Sequence, residues 1–197
     1  MKVKPHARYK DFLAVVASKS TTAIPFAGEV YRTSSPRWSK TADVTSGAGA
    51  LIAGGRWNAP DTFRAVYTAL SMETALAELV STARHYGLPD SSVLPRVWEA
   101  IEVKGLTRVL DVTSAAIRRR LKVRLADLTT EDWRALNNAG GESLCQAIGR
   151  AAHSAGFQGL LVPSARLKKG VNLVVFPGPK TPALTVVKGD EIDAALK

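Results

Sequence analysis

Arg56, Tyr67 and Glu78 stand at intervals of eleven residues in the stretch GGRWNAPDTFRAVYTALSMETALAE, which runs from Gly54 to Glu78. A guanidinium that follows two glycines can approach a ligand closely, and its paired N–H donors suit phosphate oxygens. The phenol lies in an apolar run. It is either a core tyrosine with one satisfied hydroxyl or a ring that stacks on a base or ribose. The carboxylate can hydrogen-bond a sugar hydroxyl or stabilise positive charge on a ribose carbon. Ser164 adds a hydroxyl where the apolar run LLVP stops at proline. Taken singly, each residue has a plain structural explanation: a turn arginine, a core tyrosine, a solvated helix glutamate, a turn serine.

The elements that must position these groups follow from periodicity and punctuation. Tyr9 to Ser18 is weakly helical, and AGEVYRTS alternates as a strand with Val30 and Arg32 opposite Tyr31. Ser34 to Gly49, rich in Ser, Thr, Gly and Pro, is expected to be a long loop. ALIAGGRWN reads as a short strand broken at Gly54-Gly55, and FRAVYTA as a second strand. The clearest helix is SMETALAELVSTARHYG, capped by Ser71, with Glu73 in its first turn and Gly87 to close it. Met72, Ala75, Leu76, Leu79, Val80 and Ala83 form its apolar face, which puts Glu78 on the flank. RVWEAIEV and TRVLDV read as two strands, Thr113 to Ala155 as mostly helical, and RRRLKVR as a solvated face. GLLVPS, NLVVF and ALTVV return to strands, and DEIDAAL is expected to be a short helix. These elements make an α+β fold in one domain, with a mixed, mostly antiparallel sheet and flanking helices.

Composition narrows the class of function. The excess of 27 Lys and Arg over 17 Asp and Glu gives a formal charge of +10, which favours polyanions or an acidic partner. The basic residues are scattered, without the arm or stripe of a DNA-binding surface, so direct nucleic-acid binding is not expected. Cys145, the only cysteine, excludes an intramolecular disulfide and fits a reducing, cytoplasmic compartment. Its setting, SLCQAIG, is that of a buried and inert thiol. The opening MKVKPHARYKDFLAVVASKS is interrupted by Asp11 and reads as a helix rather than a signal peptide, and no run is long enough to span a bilayer. His6, His85 and His153 lie far apart without a cysteine partner, so no metal site is expected. There is no Gly-rich phosphate loop and no serine-hydrolase elbow.

Taken together, the pattern resembles the RES domain family. The stretches that carry the resemblance are VYR (Val30 to Arg32), GGRWN (Gly54 to Asn58), VYTA (Val66 to Ala69), ALAE (Ala75 to Glu78), VPS (Val162 to Ser164) and NLVVFP (Asn172 to Pro177). The resemblance implies a domain over residues 27–197 with a helical extension, 1–26, packed on it, and a fold like that of ADP-ribosyltransferases. It implies a toxin of a bacterial toxin–antitoxin pair that cleaves the nicotinamide–ribose bond of NAD by hydrolysis, by phosphorolysis or by transfer of ADP-ribose to a protein acceptor. NAD would be a consumed substrate, with no cofactor or metal. The partner would be an antitoxin with a helix-turn-helix domain of the Xre type. Carried onto this sequence, the resemblance makes Glu78, Arg56 and Tyr67 the catalytic group. It makes Arg32, Tyr31, Trp57, Asn58 and Ser164 the NAD-binding group. Two other readings compete: a basic toxin that binds nucleic acid or cleaves RNA, and a non-catalytic NAD-binding domain. The first needs a basic face with exposed aromatics or a histidine acid–base pair. The second predicts NAD binding without turnover.

Overall fold

The structure, a computed structural model, describes residues 3–85 and 87–192. In chain order the elements are α1 (Tyr9–Ala17), β1 (Ile24–Ser34), α2 (Thr41–Ser46), α3 (Ala48–Ala53), β2 (Val66–Ala69) and α4 (Met72–His85). Then come β3 (Val97–Asp111), α5 (Ala115–Leu121), α6 (Leu125–Thr130), α7 (Trp133–Asn138), α8 (Leu144–Ser154), β4 (Gly159–Pro163), β5 (Val171–Val175) and β6 (Leu184–Glu191).

The sheet is mixed and mostly antiparallel, as expected. β2 pairs antiparallel with β5, and β5 with β4. β4 runs parallel to the end of β3, and β3 pairs antiparallel with β1 over most of its length. β1 meets β2 in register at Tyr31 and Ala69, so the pairings close on themselves. β6 adds an antiparallel strand to the first half of β3.

One core cluster joins Leu110, Leu160, Val162 and Val174 of the strands to Phe12 and Val16 of α1 and to Ile148 and Ala151 of α8. A second gathers Val30, Val66, Ile101, Leu173 and Val175. Each large aliphatic or aromatic side chain buried in this way contributes about 1.5–3 kcal/mol. This core holds rigid the strand ends that carry the site. Within it, α8 begins with a reciprocal cap: Ser143 Oγ accepts from Gln146 N (3.2 Å) and Gln146 Oε1 accepts from Ser143 N (3.0 Å).

Several expectations need correction. Ser34 to Gly49 is not a long loop, because Pro36–Trp38 forms a 3-10 turn and Thr41–Ser46 forms α2. ALIA is the end of α3 and not a strand. A short apolar run has no decisive period, and its alanines and leucine favour the helix. Gly47, at φ +65°, closes α2 in the left-handed conformation that glycine takes without strain. RVWEAIEV and TRVLDV are one strand, β3, which continues through Gly105 at φ +144°. A glycine that reads as a break instead lets the strand bend. FRAVYTA contributes only Val66–Ala69 to the sheet.

RRRLKVR is only partly solvated. Arg118 Nη1 donates to Val112 O (3.1 Å) and to Thr113 O, while Arg120 Nη2 donates to Ser20 Oγ (2.7 Å). Asp190 and Glu191 of DEIDAAL belong to β6, and residues 193–197 lie outside the described residues.

Candidate active site

Glu78 is brought to the site by a strand, a cap and a helix in succession. β2 leads into α4, where Ser71 Oγ accepts from Thr74 N (3.2 Å) and so satisfies an otherwise orphaned helix donor. Ala75, Leu79 and Ala83 are buried, which leaves Glu78 on the half-buried flank. Its Oε1 accepts from Ser164 Oγ (2.7 Å) and from Asn172 Nδ2 (2.9 Å). Ser164 Oγ itself accepts from Arg166 N (3.0 Å) and Leu167 N (3.1 Å), so its proton is committed to the carboxylate. Among the described residues Oε2 of Glu78 makes no protein hydrogen bond. The result is a carboxylate gripped by one oxygen, with the other left to act.

Tyr67 holds the GGRWN turn. Its hydroxyl accepts from Trp57 N (2.8 Å) and donates to Asn58 Oδ1 (2.8 Å). Asn58 is fully buried and passes the constraint on, donating to Ala50 O (2.7 Å) and Phe63 O (3.3 Å). Gln146 Nε2 donates to Gly55 O (2.9 Å) from the far side. A Cβ on Gly55 would lie 2.4 Å from the Tyr67 hydroxyl, so only glycine allows this approach. Burial raises the phenol's pKa far above its usual value, and the group stays neutral. Tyr67→Phe would leave the Trp57 N–H and Asn58 Oδ1 without their partner, and a loss of about 1–3 kcal/mol is expected in urea unfolding. An unchanged midpoint would show that the turn is held without the hydroxyl.

Arg56 is not a free turn arginine. Nη1 donates to Leu128 O (3.2 Å) and Glu131 O (3.0 Å), which caps the C-terminal end of α6 with a cation. Trp57 is buried, with its backbone against Gly149 of α8. Arg32 lies across β1 and β3 from Glu99, and its Nη1 makes a long bond to Tyr67 O (3.4 Å). Burial lowers the pKa of Arg32, opposed by the charge of Glu99. Burial likewise raises that of Glu99, which accepts from Ser34 Oγ. Tyr31 donates to Glu29 Oε1 (2.6 Å), and that carboxylate raises the pKa of the phenol. Cys145 is buried and its thiol pushed up to about 12, as the inert reading of SLCQAIG expects.

Two cavities meet at this point. A cleft of about 790 Å³ is lined by Gly55, Arg56, Trp57, Trp133 and Arg166, among others. A smaller chamber of about 280 Å³ is lined by Tyr31, Arg32, Thr68 and Arg96, among others. Tyr67, Glu78 and Asn172 line both. The structure thus brings Glu78, Arg56, Tyr67 and Trp57 to one cleft, and Tyr31 and Arg32 to the chamber behind it. Asn58 and Ser164 line neither cavity; they brace the residues that do.

Asn172, Arg166, Gln146 and Arg96 were not read as site residues in the sequence, although Asn172 opens the NLVVFP stretch. Asn172 had one signal, a polar amide at an otherwise apolar strand position, and it stands in register with Val162, two residues before Ser164. Among the described residues no cluster of three or more His, Cys, Asp or Glu side chains could hold a metal, and no helix is long and apolar enough to cross a membrane.

Comparison with known proteins bears on the family and the fold. The model of the RES domain matches residues 29–196. The NAD(+) phosphorylase MbcT of Mycobacterium bovis and that of Mycobacterium tuberculosis are each 36% identical to this chain over 135 residues, 68% of it. The match spans 66% of those curated relatives. The crystal structure of the M. tuberculosis MbcT–MbcA toxin–antitoxin complex superposes with a TM-score of 0.74 at 27% identity, covering 93% of this chain and 92% of that one.

Proposed function

This chain belongs to the RES domain family, and on that premise we propose that it is a toxin enzyme that cleaves the nicotinamide–ribose bond of NAD, with inorganic phosphate as acceptor. The observation that carries this reading is the Glu78 carboxylate, fixed through one oxygen by Ser164 and Asn172 at the junction of the two cavities. Departure of nicotinamide leaves an oxocarbenium-like ribose, and a preorganised anion is what that charge requires. The similarity to proteins named NAD(+) phosphorylase supports phosphate over water or a protein side chain as acceptor.

In this proposal the 790 Å³ cleft takes the dinucleotide, a volume within the range of small-molecule sites. Arg166 and the unengaged part of the Arg56 guanidinium hold the pyrophosphate. The Tyr67 ring shapes the floor, and Asn58 and Ser164 act through the residues they brace. The activity is assigned to residues 27–197, with 1–26 as an extension that packs α1 on it and runs into the start of β1 at Ile24, in a cytoplasmic setting. The partner is an antitoxin with a helix-turn-helix domain that covers the cleft. The +10 charge favours an acidic covering segment.

Purified protein incubated with NAD, with and without phosphate, and followed by mass spectrometry tests the reading. Nicotinamide release with an anomeric phosphate on ADP-ribose is expected, and the partner protein should silence it. ADP-ribose alone, or ADP-ribose attached to protein, would replace phosphate by another acceptor. Intact NAD would remove the enzymatic reading.

A further inference from the structure

The loop that joins β4 to β5 has two faces. One lines the cleft, and the other lines a separate groove of about 530 Å³, with Pro163, Ala165 and Arg166 common to both. Four cations line this outer groove, Arg118, Arg166, Lys168 and Lys169, and no carboxylate does. The carboxylates bonded to its residues are Glu78, through Ser164 Oγ (2.7 Å), and Asp111, through Thr113 N (2.9 Å). Two negative charges therefore stand against four positive ones, and the groove stays cationic. Arg118 commits Nη1 to the carbonyls of Val112 and Thr113, which fixes its charge without cancelling it. Arg166, Lys168 and Lys169 are exposed, and their side chains make no hydrogen bond or ion pair among the described residues. Lys169 is presented in the left-handed conformation, at φ +65°, which disfavours a side chain. The groove also shows Leu125, 48% exposed, and the half-buried Leu167. No aromatic side chain lines it, so nucleic-acid bases find nothing to stack on. Cations around an exposed leucine are the complement of a protein segment that carries carboxylates beside a large apolar residue.

We propose that this groove is a docking seat for an acidic segment of a protein partner, outside the cleft, and that its occupant competes with NAD for Arg166. The seat goes beyond a covering of the cleft. Its effect on activity rests on the reading of Arg166 as a ligand of the pyrophosphate. Arg166 stands at the partition with its guanidinium unengaged, so it can serve a carboxylate on one side or the pyrophosphate on the other. Ser164 supplies a second link between groove and cleft. Its Oγ accepts from Arg166 N (3.0 Å) and Leu167 N (3.1 Å) and donates to Glu78, so a displacement of the loop reaches the carboxylate.

A fluorescent oligoglutamate peptide interrupted by leucines is the probe, and the double variant Lys168→Glu/Lys169→Glu is the test. Both lysines line the groove and not the cleft, so without peptide the variant should turn over NAD as the parent does. The parent should bind the peptide with an affinity that falls as salt is raised. The variant should bind it on the order of tenfold more weakly, or worse. Saturating peptide should raise the parent's KM for NAD severalfold with kcat little changed, and leave the variant's KM alone. If the charge reversal does not fold, Lys168→Gln/Lys169→Gln decides, with a smaller loss of binding expected. Equal affinity for parent and variant would put the peptide elsewhere and overturn the seat. Binding through the two lysines with the KM for NAD unchanged would overturn the competition for Arg166. A single-stranded RNA held more tightly than the peptide, through the same lysines, would overturn the acidic segment as occupant. A parent inert toward NAD would remove the enzymatic reading, while the binding comparison would still decide the seat.

Discussion

Glu78→Gln is expected to lower NAD turnover by about a hundredfold or more while the fold and NAD binding persist. The side-chain oxygen of glutamine can keep both bonds that hold Glu78 now, from Ser164 Oγ at 2.7 Å and Asn172 Nδ2 at 2.9 Å. The amide nitrogen then stands where the unpartnered Oε2 stood. Shape and anchoring are retained, and only the negative charge is removed. That charge matters little to a bound ground state and most when the ribose turns cationic, so kcat should fall far more than KM rises. Nicotinamide release, calorimetric binding of NAD and thermal melting separate the possible results. Full activity would make Glu78 a helix-flank residue with a structural bond to Ser164. Parallel loss of binding and melting temperature would make the carboxylate a brace. Loss of turnover alone supports the charge-stabilising role.

What the sequence revealed of this arrangement depended on how local each feature is. The route from VYTA through Ser71 to Glu78 is one strand, one cap and one helix, and periodicity with capping chemistry was enough to trace it. The antiparallel character of the sheet was expected from strands pairing locally around helices, yet only the β4–β5 pairing joins strands close in the chain, while β1–β3, β2–β5 and β3–β6 join strands distant in it. Residue periodicity could not bring Ser164 to Glu78, because 86 positions separate them and the contact depends on β5 pairing with β2 and β4 with β5. Only the family resemblance joined them beforehand. Arg56 shows the opposite failure. A cation after two glycines looked free for a ligand, yet carbonyls more than 70 positions away claim one of its nitrogens. Arg96 had no local sign at all. It follows a proline-containing loop, and its chamber is lined by residues of β1, β2, α4 and β5 that are distant in the chain. The misread segments share a cause as well. Short apolar or glycine-interrupted runs such as ALIA and the Gly105 region lack a period long enough to choose between helix, strand and break.

Gly149→Ala should destabilise the protein by about 3 kcal/mol or more, although in an ordinary helix the same change adds stability. Gly149 lies inside α8, where alanine is favoured over glycine by roughly 1 kcal/mol. Here a Cβ would fall 1.8 Å from Trp57 O and 2.9 Å from Trp57 C, far inside any tolerable contact. Neither side can yield cheaply. α8 is held by its capping box and by the packing of Ile148 and Ala151, and the turn is held by Tyr67, Asn58 and Gln146. The overlap therefore has to be relieved by moving helix and turn apart, which displaces Arg56 and Trp57 from the cleft and breaks the Gln146–Gly55 bond. Stability and NAD turnover should fall together, unlike the separation expected for Glu78→Gln. Gly49→Ala in α3 is the matching control, because a Cβ there meets nothing within 4 Å. That variant should hold or gain up to about 1 kcal/mol. Urea unfolding of the pair reads the contrast directly. A Gly149→Ala protein as stable as Gly49→Ala would mean that α8 does not press on the Trp57 carbonyl, and the bracing assigned to this helix would fall with it.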